Sequence, residues 1–127
     1  MSNSWERSLR DDQVQATLAV LKIRQDYDQN KIVSILNMKS ALFATERGLS
    51  QAKLLADAVN ALTSGCLYRG PSHRHGFDLA AADRVYEFIV QLYQGEIYVK
   101  FFVTEHGTEF RSFHPTERSI DKSFRRL

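Results

Sequence analysis

Hydrophobic residues along the chain change period close to Gly65. Before that point they recur at helical spacing. Asp12 is a candidate helix cap ahead of Val14, Leu18, Leu21 and Gln25 along one face. A second apolar series runs through Ile32, Ile35 and Leu36, then Leu42 and Phe43, with Ser40 able to open a separate short helix. Gly48 suits a helix C-terminus, where glycine tolerates the left-handed conformation. Ser50 caps a third helix carrying Leu54, Leu55, Ala58 and Leu62, which Gly65 stops.

Beyond Gly65 the spacing becomes that of strands. Cys66 to Arg69 is short and runs into the polar loop Gly70-Pro-Ser-His-Arg-His-Gly76. Val85 to Tyr93 is rich in β-branched and aromatic residues. A turn at Gln94-Gly95 leads to Glu96–Thr104, where Ile97, Val99, Phe101 and Val103 share one face. Tyr98, Lys100, Phe102 and Thr104 share the other. His106-Gly107 is a hairpin signal, and Glu109 to His114 returns until Pro115 ends the ladder. Residues 11–64 lack proline, whereas both prolines and all four histidines follow Gly65. Helices first and strands afterwards predict an α+β fold, with N-terminal helices packed on a C-terminal antiparallel sheet.

Composition narrows the function classes. The chain has 127 residues, enough for one domain, and 43% of them are hydrophobic, enough for a core without staples. A net charge of +2 excludes a strongly basic chromatin-type binder and a disordered chain. The single cysteine, Cys66, cannot form an internal disulfide and reads as a structural thiol. Neither a secretory signal nor an apolar run of membrane length stands out, so a soluble cytoplasmic protein without a membrane partner is predicted.

Several chemistries can be set aside. His73 and His75 lie two apart, but Cys-x-x-Cys and His-Glu-x-x-His spacings are missing, so no metal site or cofactor is predicted. A Gly-x-Ser-x-Gly elbow and a phosphate loop are missing too. A different constellation fits a definite reaction. Tyr98 and Lys100 project together from one strand, and Ser112-Phe-His114 ends its neighbour. Arg69, His73, Arg74 and His75 lie at a strand end and in the adjacent loop. Metal-free RNA cleavage needs a base for the ribose 2′-OH, cations for the phosphorane and an acid for the departing 5′-oxygen. Histidine serves as acid or base. The same residues also suit an ordinary half-solvated sheet surface. Register separates the two. A two-residue His106-Gly107 turn pairs Val99 with His114 and turns His114 to the core. One extra residue or a bulge pairs Lys100 with His114 and brings it to the face of Tyr98.

In order along the chain, Ser40-Ala-Leu-Phe, Gly48-Leu49, Leu67-Tyr68-Arg69, Asp83-Arg-Val-Tyr86, Gly95-Glu-Ile-Tyr-Val-Lys100 and Ser112-Phe-His114 resemble the motility quorum-sensing regulator family of bacterial type II toxins. The resemblance spans residues 40–117, leaving 1–39 as an N-terminal helical extension and 118–127 as a basic tail of a single domain. It implies a RelE/barnase-type ribonuclease fold and a metal-independent mRNA interferase neutralised by a cognate antitoxin or immunity protein. It further implies catalytic roles for Arg69, Tyr98, Lys100 and His114, the last standing where the family carries lysine. Tyr68, His73, Arg74, His75 and Arg111 become candidate RNA contacts. The expected function is endoribonuclease cleavage by 2′-OH transesterification. The alternative is a non-catalytic binding module, antitoxin- or immunity-like, that uses the same sheet face.

Overall fold

The computed structural model describes residues 4–72 and 84–116, with side chains from residue 13 onward. The chain is α+β. Its elements run α1 (Ser4–Asp28), β1 (Ile32–Ser34), α2 (Met38–Arg47), α3 (Gln51–Ala61), a 3₁₀ turn (Ser64–Cys66), β2 (Leu67–Ser72), β3 (Arg84–Leu92), β4 (Gly95–Thr104) and β5 (Gly107–Pro115). The five strands form one sheet in the order β1-β5-β4-β3-β2. Phe88, Val99, Phe101, Phe110 and Phe113 come from one sheet face and are fully buried against Ile23 of α1, Phe43 of α2 and Leu54 of α3. Burial of each such side chain stabilises the fold by about 1.5–3 kcal/mol.

Three sequence expectations are corrected. The sheet is mixed, not antiparallel, because β1 runs parallel to β5 while the other pairs are antiparallel. The Ile32–Leu36 series therefore opens with a strand inside the expected helical extension. Thr108 N–H donates to the Lys31 carbonyl at 2.9 Å and Ile35 N–H to the Phe110 carbonyl at 2.9 Å, satisfying a sheet edge. Gly107, at φ 153°, permits this approach, since a Cβ there would stand 2.6 Å from the Lys31 carbonyl oxygen.

The second correction concerns α1. It starts at Ser4, so Asp12 lies within the helix and does not cap it. Its expected core face, Val14, Leu18 and Leu21, is 53–57% exposed. The buried face is Ala16, Ala19, Val20 and Ile23, where small alanines allow close packing. On that face Asp26, also buried, accepts from Thr108 Oγ1 at 2.8 Å and pairs with Lys22 at 2.9 Å, tying the helix end to β5.

The third concerns the cap and turns. Asn37, not Ser40, is the N-cap of α2, whereas Gly48 and Ser50 take their expected capping positions. Both hairpin turns sit one residue earlier than predicted. Tyr93 and Gln94 occupy the first, with φ of 53° and 66°, and Glu105-His106 occupies the second.

Candidate active site

The sheet face opposite the helices carries the candidate residues. On β3 and β4, Glu87 stands across from Lys100, and Ile89 across from Tyr98. On β5, His114 stands directly across from Tyr98. Neither predicted register is the one adopted. Thr104 pairs with Gly107, Phe101 with Phe110 and Lys100 with Ser112, so a bulge at Arg111 shifts the ladder between them. That shift carries His114 to the face of Tyr98. Their rings lie 5.3 Å apart, centroid to centroid.

A buried clamp holds the bulge. Ser40, fully buried, accepts from Phe113 N–H at 2.7 Å and donates its hydroxyl to Asn37 Oδ1 at 2.7 Å. Asn37 donates from Nδ2 to Ser112 Oγ at 3.0 Å and from its backbone N–H to the Arg111 carbonyl at 3.1 Å. The cap of α2 thereby engages three consecutive residues of β5 immediately before His114.

Glu87 is the candidate residue that sequence reasoning missed. Its side chain is only 13% exposed, accepts from the Tyr98 hydroxyl and faces Arg69 Nε at 3.8 Å. A lone carboxylate in the apolar run Val85–Tyr93 was the available signal. Burial, then the hydrogen bond and negative charge of Glu87, push the Tyr98 phenol well above its ordinary range; Arg69 opposes them and Tyr68 adds to them. Tyr98 is therefore a fixed hydrogen-bond donor, not a proton acceptor. The Arg69 guanidinium lies 5.2 Å from the Tyr68 ring.

A second group adjoins the first. The Lys100 ammonium and the Arg111 guanidinium lie 5.7 and 4.7 Å from the Phe102 ring, and Arg111 also pairs with Glu109 at 3.1 Å. His114 Nδ1 lies 2.9 Å from the Pro115 carbonyl oxygen. A carbonyl can only accept, so Nδ1 carries the proton and Nε2 is the atom available to a substrate.

The sheet thus assembles Tyr68, Arg69, Tyr98, Lys100, Arg111 and His114 with Glu87 at their centre. No family model, curated protein or solved structure matches this chain. Its chemistry has to be argued from these side chains. His73, Arg74, His75 and Asp83, together with the tail 118–127, lie outside the described residues. Among the described residues no group of three or more His, Cys, Asp or Glu could hold a metal ion, and no helix is long and apolar enough to cross a membrane. Cys66 is half-buried, its Sγ 3.2 Å from Thr63 Oγ1.

Proposed function

We propose that this chain is an endoribonuclease of the toxin type, cutting single-stranded RNA by 2′-OH transesterification. The observation that carries the reading is the meeting of one carboxylate, Glu87, one imidazole, His114, and the cations Arg69 and Lys100 around Tyr98. Glu87 takes the proton from the ribose 2′-OH, and the 2′-oxygen attacks phosphorus. The P–O5′ bond breaks, and the leaving 5′-oxygen takes the Nε2 proton of His114 in its imidazolium form, whose Nδ1 proton stays on the Pro115 carbonyl. A 2′,3′-cyclic phosphate and a 5′-hydroxyl end remain. Arg69 and Lys100 offset the charge that develops on the phosphorane. Tyr98 holds Glu87 in place, and the aromatic surfaces of Tyr68 and Phe102 offer stacking for unpaired bases.

The resemblance to the motility quorum-sensing regulator toxins adds support. Ser40-Ala-Leu-Phe and Ser112-Phe-His114, two of its motifs far apart in sequence, meet through the Ser40–Phe113 hydrogen bond. Helices packed on one face of a sheet, with the candidate residues on the other, are compatible with the RelE/barnase-type fold that the resemblance implies. A cytoplasmic ribonuclease would damage its own cell, so a cognate antitoxin or immunity protein is part of the proposal. The test is incubation of the protein with end-labelled RNA in excess EDTA, with product ends mapped. Cyclic phosphate or 3′-phosphate ends are expected. Intact RNA would overturn the reading and favour a binding module; cleavage that requires a divalent ion would overturn the metal-free mechanism.

A further inference from the structure

Helix α1 carries two apolar stripes, and its own fold uses only one. At 3.6 residues per turn, Val14, Leu18 and Leu21 fall within about 60° of arc on one side of the helix. Ala16, Ala19, Val20 and Ile23 lie on the opposite side and are buried. The first stripe is more than half exposed at every position. Its spacing, four residues and then three, is that of a helix-pairing seam. Two hollows run beside it and meet at Thr17. One, of about 390 Å³, is bordered by Gln13, Val14, Thr17 and Leu18. The other, of about 200 Å³, lies between Leu21 and Arg24 of α1 and Leu62 and Ser64 just past α3. The Thr17 hydroxyl donates to the Gln13 carbonyl at 2.9 Å, so it is satisfied within the helix and asks nothing of a partner.

We propose that this outer face of α1 is the contact between two copies of the chain, related by a two-fold axis that lays one α1 against the other. Self-complementarity carries the inference. One patch holds both protruding apolar side chains and the hollows to receive them, as a contact between identical surfaces requires. The charge pattern selects a second copy as the occupant. Lys22 is paired with Asp26 at 2.9 Å, and Arg24 Nη2 donates to the Leu62 carbonyl at 2.6 Å. Gln13, Thr17 and Gln25 make the rest of the border uncharged. A face that meets itself brings like charges together if it carries an excess of either sign, and this border carries little. The same neutrality offers little to a polyanion. From Gln13 to Gln25 the face is about 18 Å long, which suits a weak, reversible dimer. Helix α1 packs on one side of the sheet, whereas Tyr98, Lys100 and His114 stand on the other. Pairing through α1 therefore leaves both candidate faces open, and it holds whatever chemistry those faces perform.

The experiment is sedimentation equilibrium on the full chain from about 10 to 500 µM, with ¹⁵N amide shifts followed over the same dilution series. The mass should rise from 14.6 kDa toward twice that value. Shifts that depend on concentration should map to residues 13–25 and 62–64. Leu18→Glu should keep the parent's circular dichroism and weaken association at least about tenfold, the scale of disrupting a central interface side chain. Val33→Glu, at an equally exposed apolar position on β1, should associate as the parent does. A mass fixed at 14.6 kDa across the series would overturn the pairing and assign the stripe to a different protein. So would concentration-dependent shifts confined to other elements, or a folded Leu18→Glu that dimerises as tightly as the parent. The shift map is read on the parent chain, so it decides the matter even if Leu18→Glu does not fold.

Discussion

His114 lies against Tyr98 because the two are direct partners in the β4–β5 ladder, with ring centroids 5.3 Å apart. The contact exists only on one side of a bulge. Without the extra residue at Arg111, every later side chain of β5 would turn to the opposite face. The clamp from Asn37 and Ser40 engages that bulge, so the placement of His114 beside Tyr98 depends on a helix cap packed beneath the sheet edge.

Ser40→Ala should therefore act at two levels. It leaves Phe113 N–H without its acceptor inside the protein, at a cost of about 1–3 kcal/mol. It also loosens the residue before His114. Denaturant unfolding should show the lost stability, and nuclear Overhauser contacts between the Tyr98 and His114 rings should weaken. Unchanged stability together with an intact ring contact would remove the clamp from the argument.

Alkaline titration provides a second check. Burial raises Tyr86, with Arg84 opposing it; burial and Asp57 raise Tyr93 to about 12, with Arg47 opposing them; and Tyr98 is raised further by its own burial and Glu87. A phenol held above its unfolded value keeps its full contribution to stability below pH about 10 and loses it as pH rises toward the folded value. These three phenols should thus leave stability unchanged up to about pH 10 and lower it above that. Absorbance at 295 nm should show three of the five tyrosines ionising late, and Tyr98→Phe should remove one of the three. Five phenols titrating together in the folded state would contradict the burial and the Glu87 contact.

Much of this was legible in the sequence, for reasons that also explain the remainder. Strict alternation over Glu96–Thr104 fixes the faces of Tyr98 and Lys100, since only one face carries an unbroken apolar set. The face of α1 was not legible. Val14, Leu18 and Leu21 keep helical spacing as well as Ala16, Ala19, Val20 and Ile23 do, and only packing against the sheet distinguishes them. Ile32–Ser34 is a strand because β5 offers it an edge, and that edge is distant in sequence. The bulge depends on Asn37 and Ser40, equally distant, so turn chemistry alone indicated a different register. Glu87 became visible only once pairing set it beside Lys100, with Tyr98 and Arg69 in contact.

Substitutions on the sheet face should separate charge stabilisation from folding. Lys100→Ala is expected to lower cleavage by about 10²-fold, the scale of losing one donor to a developing charge. Lys100 is partly exposed and its ammonium rests on Phe102, so unfolding should change by no more than about 1 kcal/mol. Single-turnover cleavage and denaturant unfolding measured on the same preparation decide the matter. Normal cleavage with altered unfolding would return Lys100 to an ordinary sheet-surface role.

The division of labour between Glu87 and His114 can be tested through the leaving group. In the proposed reaction, protonation by His114 matters only when the departing oxygen is a poor leaving group, as the ribose 5′-oxygen is. A nitrophenyl ester of a nucleoside 3′-phosphate departs without a proton, yet its 2′-OH must still lose one. His114→Gln should therefore slow RNA cleavage by about 10²–10⁴-fold, the usual range for a lost general acid, while cleaving the nitrophenyl ester at nearly the parent rate. Glu87→Gln should slow both substrates by a similar factor, because the base is needed in either case. Tyr98→Phe should depress both mildly, through a less firmly held Glu87. If His114→Gln slows the two substrates equally, the imidazole acts on the phosphorane's charge or on the 2′-OH. If Glu87→Gln leaves both rates intact, the carboxylate serves only to hold Tyr98 and Arg69 in place, and the base must be another group.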